Sequence, residues 1–211
     1  PDAPELVAEF PIEFTGTSNY FAKGDTIYFT YGQDIKSEDP EKPLTQYYLG
    51  RVDMSDPGNP ILLSSVNIPG VCVGMDDTGL YAYTLDTEWA ETEEDYYSQI
   101  YSFNTVKIED DQAFLLDNLE LERYYSNIVI SDGLAYLSGG YWRWWGGGSD
   151  TMKIADLTVP ENLTLYDNEM PAGGFNVIGA KERKVFGTMS GGLACYDSSD
   201  PGELELDEFK S

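Results

Sequence analysis

"KGDTIYFT" (residues 23–30), "DTGLYAYT" (77–84), "SDGLAYLS" (131–138) and "ERKVFGTM" (182–189) share one pattern, a polar turn followed by an apolar, strand-like run. Ile27, Leu80, Leu134 and Val185 take the same place in the four segments, 53, 54 and 51 residues apart. A fixed period of this length marks a repeat architecture, in which each unit buries its apolar face against its neighbours.

A second landmark keeps its own register: "DMSDP" at Asp53, "NTVKI" at Asn104, "DLTVP" at Asp156 and "DSSDP" at Asp197. An Asp or Asn at a strand end bonds its own downstream backbone, and proline stops the hydrogen-bond ladder. Further apolar runs follow this landmark ("PILLSSVNI", "AFLLDNLEL", "NLTLYDNEM", "ELELDEF") and precede the first one ("NYFAK", "VCVGM", "NIVIS", "NVIGA"). Each unit therefore holds four short strands, and no stretch shows a helical period. Tandem four-stranded units predict an all-β fold of β-propeller blades. A β-sandwich has as many strands but no reason to repeat in register.

Composition narrows the chemistry. The 211 residues are 41% apolar and 14% aromatic, enough for a full core. With 38 acidic and 12 basic residues the formal charge is −26, which repels nucleic acid and anionic lipid. Such a charge suits cations, a saline environment or plain solubility outside a cell, the last being the simplest reading. The absence of histidine removes Ser-His-Asp, Cys-His and His-zinc chemistry. Cys72 and Cys195 are the only cysteines, and their apolar settings predict two buried free thiols, one disulfide being the alternative. No apolar run is long enough to span a bilayer, and no signal-peptide pattern opens the chain. The start at Pro1 predicts a processed product, a fragment or the observed part of a longer chain.

"GRVDMSDPGNPILLSSVNIPG" and "GLACYDSSDPGELELDEF" resemble the LVIVD-type repeat, a β-propeller blade repeat of secreted and surface proteins, through an Asp-Val-Ser-Asp-Pro-x-x-Pro turn. The likeness is partial in the third unit, and weak in the second, where "NTVKIEDD" lacks the proline. It implies a propeller and an extracellular or cell-surface setting, the periplasm included, and carries over no catalytic residues. "PDAPELVAEFPI" aligns with "PGNPILLSSVNI", so residues 1–18 are expected to be the outer strand of a preceding blade. Blades are then expected over 19–70, 71–122, 123–175 and 176–211, as part of a larger propeller or one completed by another chain.

The two landmarks are separated by 26, 24, 22 and 12 residues in successive units, so three blades carry long insertions between the same two strands. These are "YGQDIKSEDPEKPLTQ", "LDTEWAETEEDYYSQ" and "SGGYWRWWGGGSD", expected as loops on one face, where binding usually resides. Tyr141, Trp142, Arg143, Trp144 and Trp145, with Trp89, Tyr96 and Tyr97, form the candidate binding set. Adjacent large residues followed by flexible glycines do not suit a strand that buries alternate positions. Three uses remain: packing onto their own blade, contact with a protein partner or neighbouring subunit, and stacking against a glycan. Glu91, Glu93, Glu94 and Asp95 offer hard oxygen ligands for calcium, although a solvated charge run is the plainer reading. Glu88 with Glu94 or Asp95 would serve a carboxylate glycosidase or lyase, but pairs of this kind arise freely in so acidic a chain. Asn162-Leu163-Thr164 is a formal glycosylation acceptor. The expected function is a non-catalytic interaction or scaffold module, with carbohydrate binding as the alternative. No nucleic acid, membrane insertion or cofactor other than possible calcium is expected.

Overall fold

The computed structural model describes residues 6–11, 16–35, 44–91, 97–139, 152–167, 175–189 and 191–211, with the main chain alone at 16–18, 89–91 and 97–98. The described residues form four four-stranded sheets and no helix. The first sheet is β1 (Gly16–Lys23), β2 (Thr26–Ile35), β3 (Leu44–Asp53) and β4 (Ile61–Ile68); the second is β5 (Val71–Met75), β6 (Tyr81–Glu91), β7 (Tyr97–Glu109) and β8 (Gln112–Leu121). The third is β9 (Asn127–Ser131), β10 (Leu134–Ser138), β11 (Lys153–Asp156) and β12 (Thr164–Leu165); the fourth is β13 (Phe175–Lys181), β14 (Lys184–Met189), β15 (Gly192–Asp197) and β16 (Glu205–Lys210). In every sheet the strands lie in chain order, and the pairs whose register is resolved are antiparallel. The fold is all-β, made of the four-stranded meanders that are propeller blades.

Hydrogen bonds between the strand ends fix the true repeat register. The N–H groups of Met54, Ile108, Leu157 and Ser198 donate to the carbonyls of Asp25, Leu80, Gly133 and Arg183 at 2.6, 2.8, 2.9 and 2.8 Å. Ile27 therefore corresponds to Ala82, Ala135 and Val185, and the placement of Leu80 and Leu134 beside it is corrected by two residues and one. Turn length is the cause at Leu80. The first hairpins of sheets one, three and four close over two residues, whereas Asp76 N–H donates to the Tyr81 carbonyl across four.

The landmark in the second unit is corrected as well. Lys107, just before Ile108, is the counterpart of Asp53, Asp156 and Asp197, while Asn104 lies inside β7 and is 1% exposed. The three aspartates do make the expected turn: their Oδ1 atoms accept the N–H of Ser55, Thr158 and Ser199, each at 2.8 Å. These bonds hold the Asp53 and Asp197 carboxyls below their ordinary value of 3.8. At Asp156 burial pushes upward, but the bonds from Thr158 and Tyr166 prevail and its value is also lowered.

Gly16–Ser18 pair with Thr30–Gly32 inside the first sheet, and residues 6–11 carry no strand. Cys72 and Cys195 are free and buried, as the sequence predicts.

Chain contacts define two compact units, Pro1–Asp86 with Val106–Leu115, and Thr87–Thr105 with Leu116–Ser211. In the first, Leu49 and Tyr28 of sheet one pack with Cys72, Met75 and Val106 of sheet two. In the second, Tyr136, Met152 and Ile154 of sheet three pack with Phe175, Val177 and Tyr196 of sheet four.

The same polar clasp joins the sheets within each unit. In the first unit, Asn19 Nδ2 donates to the Cys72 carbonyl at 3.0 Å, and Thr30 Oγ1 accepts the Cys72 N–H at 3.0 Å. In the second, Asn127 donates to the Val177 carbonyl, and Ser138 Oγ accepts the Val177 N–H at 3.0 Å. Thr30 and Ser138 are 0% exposed, so neither water nor a flexible partner replaces these bonds. The second junction adds the Tyr136 hydroxyl against Ser198 Oγ at 2.7 Å, and Asp132 accepting the Arg183 N–H at 3.2 Å.

Candidate interaction surface

The middle hairpins differ sharply in length. β2 and β3 are 10 residues each, β6 and β7 are 11 and 13, but β14 and β15 are 6 and 6. The first two insertions are in part strand, β2 and β3 remaining paired from Thr26↔Asp53 out to Ile35↔Leu44, whereas the third falls between β10 and β11, of 5 and 4 residues, and residues 140–151 are outside the described residues. The loop expectation is corrected here because Tyr31, Gln33 and Ile35 keep a strand's alternation and find partners opposite them.

The base of the first arm is an aromatic ladder. Phe29 and Tyr31 lie 5.9 Å apart, and Tyr31 stacks on Tyr48 across the strands at 5.3 Å and 16°. Such pairs add stability beyond their buried area. Gly50 makes room for them, since a Cβ there would sit 2.2 Å from Phe29 Cζ. At the end of the arm Thr45 Oγ1 donates to Asp34 Oδ1 at 3.3 Å, and Ile35 and Leu44 stand exposed. In the second arm Tyr101 tilts against Tyr124 at 5.8 Å, and Asn118 Nδ2 donates to Asn104 Oδ1 at 2.6 Å.

Of the candidate binding residues, two have a described main chain. Trp89 lies on β6 and Tyr97 opens β7; their side chains are outside the described residues, as are Tyr96 and the whole of Tyr141, Trp142, Arg143, Trp144 and Trp145. The calcium candidates fall likewise: Glu91 ends β6 with its side chain undescribed, and Glu93, Glu94 and Asp95 lie outside the described residues. Glu88 is exposed on β6, whereas its suggested carboxylate partners are undescribed.

Among the described residues no three His, Cys, Asp or Glu side chains are grouped to hold a metal. The shifted aspartates, Asp53, Asp76, Asp132, Asp156 and Asp197, all move downward. At Asp76 burial opposes the shift, and bonds from Thr78 and the Tyr81 N–H outweigh it. These carboxylates are ionised turn-formers at neutral pH.

The clasp residues are what sequence reasoning passed over. Their signal stands at the ends of the repeat itself: Asn19, Asn127 and Asn176 open the apolar runs "NYFAK", "NIVIS" and "NVIGA", and Thr30 and Ser138 close the segments that define the period.

No family model matches the sequence, and no curated protein matches it. Among solved structures, the C-terminal domain of gp131 from bacteriophage phiKZ is similar over 90% of this chain, with 13% identity and a TM-score of 0.33. The chain spans 57% of that domain's length. The β-propeller domain of the Trilobed protease from Pyrococcus furiosus is similar over 94% of this chain and 84% of its own length, with 10% identity and a TM-score of 0.31. The fold assignment rests on the meander sheets and their junctions.

Proposed function

We propose that the chain is a non-catalytic β-propeller interaction module of a secreted or cell-surface protein, akin to LVIVD-repeat proteins. It holds a protein partner or neighbouring subunit through the ends of its long middle hairpins. The observation that carries this reading is the pairing of β2 with β3 out to Ile35↔Leu44. A paired arm presents its tip on a stiff support, so ordering it on binding costs little conformational entropy. In sequence, the segments joining β6 to β7 and β10 to β11 bring aromatic residues and arginine, the types that dominate interface hot spots, and the high negative charge keeps the unbound chain soluble.

Sedimentation velocity on the full chain, and on a variant carrying Trp142→Ala, Trp144→Ala and Trp145→Ala, tests the reading. Concentration-dependent assembly is expected for the parent and lost in the variant, with Tm unchanged within about 1 °C. A Tm loss of several degrees would instead assign the rings to packing on their own blade. Quenching of Trp fluorescence by members of a glycan panel would transfer the site to carbohydrate.

A further inference from the structure

The fourth sheet carries, on one face, the same grip by which the third sheet holds the fourth. In the third sheet Asn127 pairs across the strands with Ser138, and Tyr136 with Ile154. At the same rungs of the ladder counted from the two-residue turn of the fourth sheet, with a bulge between Val177 and Gly179, Asn176 pairs with Thr188, and Phe186 with Cys195. Phe186 thus stands where Tyr136 does, and Cys195 where Ile154 does. The other face of the fourth sheet, with Phe175, Val177, Val185 and Tyr196, is already buried against the third.

The burial of the two grips is opposite. Ser138 and Tyr136 are 0% exposed, while Asn176 and Thr188 lie open. Ile178, Phe186 and Leu193 are 60%, 40% and 53% exposed, and Phe186, Leu193 and Cys195 line a depression of about 250 Å³. Contiguous apolar exposure beside convergent polar groups marks an interaction site.

We propose that this face docks the first strand of a further four-stranded blade of the same kind. One residue of that strand is gripped at its main chain, its carbonyl accepting from Asn176 Nδ2 and its N–H donating to Thr188 Oγ1. Its apolar side chains cover Phe186 and Leu193. The occupant is specified by what the first two grips take. Cys72 and Val177 both lie on first strands and offer both main-chain groups beside a bulge, between Cys72 and Gly74 and between Val177 and Gly179. This surface stands independently of the hairpin tips.

Cys195 is the reporter, and Cys72, 0% exposed with its thiol pushed up to about 12 by burial, is the internal standard. Residues 175–211 are duplicated after Ser211 through a flexible linker, with Cys195→Ala in the duplicate. Iodoacetamide modification of the original Cys195 is followed by mass spectrometry. In parallel, the synthetic peptide of residues 175–189 is titrated into the unextended chain. Either the appended blade or the peptide is expected to slow Cys195 modification at least tenfold, and Asn176→Ala with Thr188→Ala to restore the rate. Unchanged rates in both arms overturn the proposal. Protection that grows with concentration of the unextended chain alone also overturns it, and gives the face to a second copy.

Discussion

At the scale of single residues, the structure separates positions that specify the fold from those that merely occupy it. Ser138 has one buried task, to accept the Val177 N–H. Ser138→Ala leaves that donor unpaired and is expected to cost about 1–3 kcal/mol in denaturant unfolding. Glu182 and Arg183 form a hairpin turn at φ of 54° and 60°, the left-handed region that penalises a Cβ. Arg183→Gly keeps the main-chain bonds to Asp132 and Ser198 and is expected to raise stability by about 1 kcal/mol. A loss instead would mean that the Arg183 side chain matters more than its backbone. The sequence makes the Asp turns legible, because an aspartate followed by Ser or Thr two residues on has a local use for its carboxylate. It does not make the clasps legible, since an Asn or Thr on a strand reads as solvent-facing until a neighbouring main chain is placed against it.

At the scale of elements, the middle hairpins carry the difference between blades. The alternation of Tyr31, Gln33 and Ile35 extends β2 beyond the blade, whereas the spacing between landmarks gives only the length of an insertion and not how much of it is strand. Tyr31 is buried between Phe29 and Tyr48, so Tyr31→Ala is expected to destabilise by about 3 kcal/mol. Replacing residues 34–45 by a short turn removes the exposed pairs Asp34↔Thr45 and Ile35↔Leu44 and is expected to leave Tm within a few degrees. A collapse of Tm after that shortening would make the arm a structural strut. The repeat itself was legible from its turns, but its register was not fully so, because the four-residue turn of the second unit displaces Leu80 by two residues, while Val185 keeps its place. The binding set was legible only as composition: its side chains lie outside the described residues.

At the scale of the molecule, charge and junctions set the behaviour. A formal charge of −26 makes the folded state repel itself, so Tm is expected to rise with added salt as this repulsion is screened. Acid acts in two directions. From neutrality down to about pH 5 the falling charge relieves repulsion. The turn aspartates Asp53, Asp156 and Asp197 have lowered values, so their contribution is complete above 3.8 and is lost as pH falls through the lowered values. A Tm maximum in mild acid, with a steep fall below about pH 4, is expected in a pH series at constant ionic strength; a monotonic rise into acid would mean the turns contribute nothing. The central claim is that repeated clasps, one main-chain residue held by an Asn and a hydroxyl, join blade to blade within each unit. Amide hydrogen exchange tests it most directly. The N–H groups of Cys72 and Val177 are predicted to exchange only through global unfolding, and Ser138→Ala to accelerate Val177 while leaving Cys72 protected. Rapid exchange of both amides in the parent chain would contradict the clasp, and with it the account of how these blades are joined.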